Sequence, residues 1–294
     1  SWSAPKSGKP AGDHVEADKI TGSPRCAPRH SHGRPTLRNF VLLIFISTLC
    51  HTVAAGTRVA SALFAIHLGE STFMVGTING LYGLLPMLLA VSSGRLTDRA
   101  GARLPMLFGS AIMAIGVVLP FFWPTVTALF ATSTLVGCGF MLYNIALQNV
   151  AGFMGRPEDR AWHFNLLSLG FSVSSLLGPL LAGVGIDVLG HRHAFLTISL
   201  IPLIPLAVLG SSLLKLPRPS PPVARTGKQS LLDLLRDRRL SWLFLLTTLL
   251  TTGWELFGFM IPVYGTSIGL SATEVGLVMS AFSAGSDRGR TRRR

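Results

Sequence analysis

The chain has 294 residues, of which 49% are hydrophobic and only 13% are charged. Soluble globular domains carry about 25% charged residues, so this composition excludes an ordinary soluble enzyme and argues against a disordered chain. The net charge of +13 would indicate a nucleic-acid partner in a soluble protein, but in an apolar chain it can report membrane topology. The 3 cysteines are too few and too scattered for a disulfide framework or a zinc site.

The first 38 residues are polar, rich in Pro, Gly, Ser and His, and contain 7 Lys or Arg residues. They lack the short apolar core and the cleavage site of a signal peptide. This composition predicts a disordered basic tail over residues 1–38.

Long apolar segments follow the tail. A helix needs about 20 apolar residues to cross a bilayer, and segments of about that length recur at 39–68, 73–94, 104–123, 125–150, 162–186, 193–214 and 241–265. They lack the polar–apolar alternation of membrane β-strands, so we predict helices. An eighth apolar segment begins near Thr273 and gives way to a basic stretch at 286–294. We expect either that the chain is truncated inside this element or that residues 286–294 are not its native continuation.

The basic residues lie on one side of the predicted membrane. With the N-terminal tail inside, the inside regions hold 19 of the 26 Lys and Arg residues, and the outside loops hold 1, Arg192. Because cytoplasmic loops carry the excess of Lys and Arg, we predict a cytoplasmic N-terminus and a location in the inner (plasma) membrane. The same distribution excludes a nucleic-acid partner, because the charge is spread along one membrane face.

Residues 215–240 form the longest internal loop and are predicted to be a cytoplasmic linker. The first part is rich in proline and is expected to be extended, whereas residues 230–236 favour a short amphipathic helix on the inner leaflet. Six apolar segments precede the linker, in 39–214, and the seventh and the partial eighth follow it, in 241–285. We therefore expect an N-terminal half of six helices and an incomplete C-terminal half.

One motif stands between the second and third apolar segments. Its sequence is Gly94-Arg95-Leu96-Thr97-Asp98-Arg99-Ala100-Gly101-Ala102-Arg103. We expect Gly94 to let the chain leave the helix tightly and Gly101 to permit a turn that most side chains would strain. Asp98 can accept hydrogen bonds from a helix N-terminus or from Arg99 and Arg103.

This motif resembles the G-x-L-x-D-R-x-G-x-R signature of the major facilitator superfamily and lies in the loop where that family carries it. The resemblance covers residues 39–285. It implies that Gly94, Asp98, Arg99, Gly101 and Arg103 form a cytoplasmic latch between two halves, which is broken and remade as access alternates. The alternative is an anionic turn in a basic loop.

A second D-x-x-G-x-R sequence runs from Asp187 to Arg192, on the opposite side of the predicted membrane. The halves of the resembled superfamily contain three helices repeated with inverted topology. The second copy therefore supports the resemblance.

Small residues form a stripe along the fifth segment. They recur every four positions and are followed by a proline, and a stripe of this kind permits close helix packing. The residues are Gly170, Ser174, Gly178, Pro179 and Ala182.

The stripe resembles, incompletely, the Gly-Pro motif of proton-coupled drug antiporters. Asn165, Ser174 and Ala182 stand where that motif has glycine, so close packing is the alternative to an antiporter-specific role. Ser133 stands where the drug-efflux branch has an intramembrane arginine. The proton-coupling role of that arginine therefore does not carry over to this chain.

Two ionisable residues lie within apolar segments, Arg58 in the first and Glu255 in the seventh. Such groups are costly in a bilayer and are usually functional. In the resembled family these two segments face each other across the halves near the outer gate. We hypothesise that Arg58 and Glu255 either pair when that gate closes or bind an anionic group and a proton respectively. The alternatives are an Arg58 that reaches the outer interface and a Glu255 in an unrelated structural hydrogen bond.

Other polar residues are weaker candidates for a substrate or proton site. Asn144 and Gln148 lie four positions apart in the fourth segment and suit a cavity wall, with hydrogen bonding between helices as the alternative. Asn79 and Tyr82 in the second segment and His51 in the first are candidates for the same cavity.

The resemblance as a whole implies an all-α polytopic membrane protein that is not an enzyme. It implies a monomeric secondary transporter that moves a small organic solute by alternating access with H+ coupling, and it leaves efflux and uptake open. The sequence lacks a nucleotide-binding loop, a metal site and a nucleophile with its base, so we expect no cofactor or metal. The competing interpretation is a non-transporting, truncated or frameshifted fragment of such a transporter.

Overall fold

The computed structural model describes residues 37–153, 160–211, 213–214, 216 and 238–291. Within these ranges the regular structure is helical and contains no strand, which confirms the predicted all-α class. Most of the predicted tail (1–38) and of the predicted linker (215–240) lies outside the described residues. The helices are α1 (Leu37–His67), α2 (Thr72–Ala100), α3 (Arg103–Phe122), α4 (Val126–Phe153), α5 (Arg160–Leu189), α6 (His191–Leu200), α7 (Leu203–Gly210), α8 (Arg238–Ser267) and α9 (Ala272–Thr291).

Seven spans within the described residues are long and apolar enough to cross a membrane. They are the individual helices α1 to α5, then α6 and α7 taken together, and α8. These spans coincide with the seven predicted apolar segments to within a few residues, and the chain is a multi-pass membrane protein. The helix α9 covers the predicted eighth segment and continues to Thr291.

The end of α2 differs from the prediction. The helix continues through Gly94 to Ala100, so the expectation that Gly94 lets the chain leave the helix is wrong. The helix ends at Gly101, which has φ +77° and ψ +169°. Because only glycine adopts that conformation without strain, Gly101 rather than Gly94 turns the chain into α3.

The predicted sixth segment, 193–214, consists of two helices. The helix α6 ends at Leu200 and α7 begins at Leu203. Pro202 and Pro205 lie at this junction, and proline has no N–H to continue the hydrogen-bonded ladder of a helix. The span is therefore interrupted without being divided into two membrane crossings.

Where the described residues join two successive spans, the turn is short and the spans run in opposite directions, so the bundle has two ends. We call the end with the α2–α3 turn the motif end, and the end with the turns at 68–71, 123–125, 190 and 268–271 the far end.

Two far-end turns are alike. Gly69 and Gly269 have φ of +80° and +83°. The next helix is capped in each case by a serine hydroxyl, that of Ser71 or Ser271, which accepts a hydrogen bond from the backbone three residues later. The helical hairpins α1–α2 and α8–α9 thus use the same turn, as expected for two copies of one structural repeat.

The helices α1 to α7, here called the N-terminal group, pack through the pairs α1–α5 and α3–α4. The remaining helices, α8 and α9, form the C-terminal pair. The helix α9 packs on α5. Residues 242–256 of α8 are all exposed, and its buried residues are Pro262 and Gly265, near the far end. Contacts that bury α8 are thus concentrated toward the far end.

Candidate functional site

Arg58 and Glu255, the two ionisable residues predicted within apolar segments, are in direct contact. Arg58 Nη1 on α1 donates a hydrogen bond to Glu255 Oε2 on α8 at 2.5 Å. The side chains are 30% and 49% exposed, respectively. An ion pair exposed to this extent contributes about 0.2–1 kcal/mol. The contact joins the N-terminal group to the C-terminal pair through a weak, specific interaction.

Two further side chains extend this contact to α2. The guanidinium Cζ of Arg58 lies 5.2 Å from the ring centroid of Tyr82, which is a cation–π distance. The Tyr82 hydroxyl lies 3.0 Å from Ser61 Oγ on α1. The arginine is therefore held from one side by an aromatic face and from the other by a carboxylate.

Asn79 lies on the same face of α2 as Tyr82, one helical turn away. Both polar atoms of its amide are buried and have no hydrogen-bond partner among the described residues. One turn further along, Gly76 faces α8, since a Cβ placed on Gly76 would lie 3.6 Å from the Phe259 ring. Buried polar groups are nearly always hydrogen-bonded, so this amide is suited to bind a water molecule or a solute.

A second polar cluster lies on α1, α4 and α5. The imidazole of His51 stacks on Phe171, with ring centroids 3.7 Å apart and an interplanar angle of 30°. The imidazole is nearly perpendicular to the ring of Phe140, with ring centroids 4.5 Å apart and an interplanar angle of 87°. Asn144 lies beside the imidazole. His51 Nε2 and Asn144 Oδ1 are both buried without a partner among the described residues.

The polar face predicted for α4 is thus divided. Asn144 is directed into the bundle, where its Oδ1 is buried. Gln148, one turn later on the same helix, is exposed. The two residues do not form one cavity wall within the part of the chain that the structure describes.

The motif residues lie at the end of α2 and the start of α3. Arg103 donates hydrogen bonds from Nε to Leu209 O at 2.8 Å and from Nη2 to Ser211 O at 2.6 Å. It thereby binds the last carbonyls of α7 and not Asp98. The side chains of Asp98 and Arg99 are exposed at the motif end.

The second D-x-x-G-x-R sequence makes a matching contact and an additional one. Arg192 Nη2 donates to Phe121 O, at the end of α3, at 2.8 Å. The carboxylate of Asp187 accepts hydrogen bonds from the backbone N–H groups of Ala272 at 3.2 Å and of Thr273 at 2.7 Å. A carboxylate at a helix N-terminus is stabilising, so Asp187 links α5 to the first turn of α9.

The small residues of α5 lie against α1. Ser174 Oγ donates to Thr48 O at 2.8 Å. A Cβ on Gly170 would lie 2.7 Å from Thr48 Oγ1, and a Cβ on Gly178 would lie 2.7 Å from Ala55 Cβ. These distances leave no room for larger side chains. Of the remaining predicted packing residues, Pro179 and Ala182 are buried.

Within the described residues there is no group of three or more His, Cys, Asp or Glu side chains that could hold a metal ion. A shallow depression beside Glu255 is lined by threonines of α8 alone. Three of them, Thr247, Thr251 and Thr252, donate to the backbone carbonyl four residues earlier.

Comparison with known proteins identifies the family of this fold. The family model for the major facilitator superfamily matches residues 41–287. The chain belongs to the major facilitator superfamily. The match includes the motif at the α2–α3 turn, both polar clusters and most of α9.

Relatives in this superfamily are similar to the chain over part of their length. The multidrug efflux pump LfrA of Mycolicibacterium smegmatis is 28% identical over 208 residues, which is 69% of this chain and 40% of that protein. The multidrug resistance protein MdtH of Edwardsiella ictaluri is 25% identical over 207 residues, which is 69% of this chain and 50% of that protein. The chain thus spans half or less of the length of these relatives.

A solved structure shows the same fold. The crystal structure of a bacterial homologue of the human lysosomal transporter Spinster, in an inward-facing and unoccupied conformation, matches with a TM-score of 0.60 and 14% identity. The match covers 85% of this chain and 60% of that protein. At this identity the similarity shows the superfamily fold alone.

The sequence analysis identified some of the residues that make these contacts and missed others. The cost of a charge in a bilayer singled out Arg58 and Glu255, which the structure brings together. The contact between Asp187 and α9 was missed, although the repeated D-x-x-G-x-R sequence and the helix-terminus role considered for Asp98 were signals for it. The aromatic contacts of His51 were also missed, because no sequence spacing connects α1 with α5.

Proposed function

We propose that this chain acts as a secondary transporter that moves a small organic solute across the plasma membrane by alternating access. Membership of the superfamily supports transport. The relatives LfrA and MdtH, a multidrug efflux pump and a multidrug resistance protein, favour an organic solute and make efflux the direction to test first.

The contact between Arg58 and Glu255 carries the proposal. It joins the N-terminal group to the C-terminal pair, while residues 242–256 of α8 are exposed. This arrangement fits a bundle that is closed toward the far end. In the opposite state the pair separates, and Arg58 is then free to bind an anionic group of the solute.

The membrane orientation follows from charge. The motif end carries Arg95, Arg99 and Arg103, whereas the far-end loops carry only Arg192. Cytoplasmic loops are enriched in Lys and Arg, so we propose that the motif end and the N-terminus are cytoplasmic. The proposal further comprises a monomer that uses H+ as the coupling ion, has no cofactor or nucleic-acid partner and catalyses no chemical reaction.

The test is uptake of organic solutes by proteoliposomes that contain the chain, with and without a pH gradient. We expect Arg58→Gln and Glu255→Gln each to lower gradient-driven transport at least tenfold, and the charge exchange Arg58→Glu with Glu255→Arg to restore part of it. Arg192→Gln is the matched control, since Arg192 binds only within the N-terminal group and should retain transport. Unchanged transport by Arg58→Gln across solutes and pH would refute the role of the pair.

The competing proposal is a chain that inserts into the membrane without transporting. The chain covers 40% of LfrA and 50% of MdtH, so transport by this chain has to be measured directly. Gradient-driven accumulation of any solute by the unmodified chain would exclude the competing proposal. The absence of transport for every solute, in vesicles that contain folded protein, would establish it.

A further inference from the structure

The second polar cluster, formed by His51, Asn144, Phe140 and Phe171, is not used by the Arg58–Glu255 contact. We propose that the imidazole of His51 is a proton-binding site and that it carries the coupling proton. The second part rests on the proposed transport function, whereas proton binding itself does not.

Two unpartnered atoms define the site. His51 Nε2 and Asn144 Oδ1 are buried, and neither has a hydrogen-bond partner among the described residues. Leaving a buried polar atom unpaired costs about 1–3 kcal/mol. Two such atoms on neighbouring side chains of α1 and α4 point to a group that binds there in another state of the protein.

Burial decides which ligand fits. Neither atom is open to solvent, so a solute cannot touch them without separating α1 from α4. A proton adds no appreciable volume. The transfer takes place when the helices part enough to admit a water molecule: an O–H bond of a hydronium ion breaks and leaves water, which departs the same way, while the lone pair of an imidazole nitrogen forms the new N–H bond.

Two contacts of His51 are able to hold its charged form. An imidazolium has N–H donors at both ring nitrogens, and Asn144 Oδ1 is an acceptor with no other partner beside the ring. The ring of Phe171 is stacked on the imidazole, and aromatic faces attract cations.

The charged and titratable groups around the site come from four helices. On α1, Arg58 follows His51 by two helical turns and lies about 10 Å further along the helix axis. Cys50 precedes His51 in the sequence, but its thiol contacts Ser110. On α4, Asn144 and Phe140 face the ring and are uncharged, while the Tyr143 hydroxyl is directed to Ser47. Two further titratable groups are His163 on α5, whose ring packs at a tilt against Phe40, and Glu255 on α8, which pairs with Arg58.

The Arg58–Glu255 pair couples this site to the far end. When Glu255 neutralises Arg58, His51 can become charged without a nearby uncompensated cation. When the pair separates, the free charge of Arg58 at about 10 Å weakens proton binding roughly tenfold, for an effective dielectric constant of about 20. Because coupling is reciprocal, protonation of His51 favours the paired arrangement and therefore closure of the far end.

Proton binding is tested on the purified full chain in lipid nanodiscs by nitrogen NMR of labelled histidines. The chain contains 8 histidines, and the signal missing from His51→Gln identifies the one of interest. We expect this signal to change from the neutral to the doubly protonated pattern as the pH is lowered into the acidic range. A His51 signal that keeps the neutral pattern throughout, while other histidines titrate, would overturn the proposal.

The role of Asn144 has its own matched variants. Asn144→Leu removes the acceptor and should weaken proton binding by His51 about tenfold or more, because hydrogen bonds to charged groups are strong. Asn165→Leu is the control, since Asn165 is exposed on α5 and should leave the His51 titration unchanged. Equal effects of the two substitutions would contradict the assigned site.

Transport separates this inference from the proposed function. In proteoliposomes, His51→Gln should still equilibrate a solute but should lose accumulation driven by the pH gradient. Normal accumulation by His51→Gln, or loss of accumulation in His163→Gln instead, would overturn the coupling role while leaving transport established. If the unmodified chain transports nothing but His51 titrates, the proposed function fails and the proton site stands.

Discussion

The close contact between α1 and α5 leads to a prediction about helix packing. Gly178 lies where α5 touches the backbone of α1. A Cβ placed on Gly178 would lie 2.7 Å from Ala55 Cβ, 2.8 Å from Gly56 N and 2.9 Å from Thr52 O. Two of these three neighbours are backbone atoms, which cannot rotate away. The substitution Gly178→Ala must therefore displace a whole helix.

The size of the effect follows from these distances. Non-bonded carbon contacts are optimal at about 3.5–4.0 Å, so α1 and α5 must separate by roughly 0.7 Å or more. Overpacking of this kind costs about 1–3 kcal/mol. Replacing glycine by alanine within a helix contributes about 0.8–1 kcal/mol in the opposite direction, so the comparison requires a control that contains this propensity effect alone.

Gly83→Ala is that control, because no atom lies within 4 Å of a Cβ built on Gly83 in α2. We expect the free energy of unfolding of Gly178→Ala to be about 1–3 kcal/mol lower than that of Gly83→Ala, as measured by denaturant titration in detergent followed by circular dichroism. A difference below about 0.5 kcal/mol would show that the helices are not in the contact described here.

The reciprocal residue provides a second check. A Cβ on Gly56 would lie 2.8 Å from Gly178 O, so Gly56→Ala addresses the same contact from α1. After one substitution has separated the helices, the second meets less resistance. The loss of stability in the double variant should therefore be smaller than the sum of the losses in the two single variants, because substitutions at residues in contact are generally not additive. Additive losses would mean that the two glycines act at separate sites.

Two further predictions concern the helix ends. Asp187→Ala should accelerate hydrogen exchange at the Ala272 and Thr273 amides about fivefold, as expected when an N-terminal cap worth about 1 kcal/mol is lost. Asp187→Asn keeps a hydrogen-bond acceptor and should accelerate the exchange less. Unchanged exchange in Asp187→Ala would contradict the contact. Gly101→Ala should lower the free energy of unfolding by about 1–3 kcal/mol, because residue 101 has a φ of +77° that alanine adopts only with strain. Gly94→Ala is the control: a Cβ built on Gly94 has no atom within 4 Å, so this substitution should be neutral or slightly stabilising. Equal losses in these two variants would refute the assignment of Gly101 as the turn residue.

The membrane spans could be predicted from sequence because a bilayer imposes a simple requirement. Every backbone polar group must be paired inside the segment, so a long apolar run has one available structure and a length fixed by bilayer thickness. The seven predicted segments accordingly coincide with the seven spans of the described residues. The same logic identified Arg58 and Glu255, because a charge in such a segment requires a partner.

What the sequence left undetermined depends on contacts between distant residues. Gly94 and Gly101 are both glycines near the end of α2, and only the backbone conformation shows which one turns the chain. Asp187 and Asp98 occupy equivalent positions in the two repeats, yet Asp187 caps a helix that begins 85 residues later. The proximity of His51 to Phe171 depends likewise on the packing of α1 against α5.

The partial exposure of the Arg58–Glu255 pair has a kinetic consequence. Separating a pair that is 30% and 49% exposed costs about 0.2–1 kcal/mol, which lengthens the lifetime of the joined arrangement by roughly fivefold at most. Breaking a fully buried pair costs about 3–5 kcal/mol, which would extend that lifetime more than about a hundredfold. The partial exposure of these two side chains therefore lets thermal motion break and re-form the contact many times in each second.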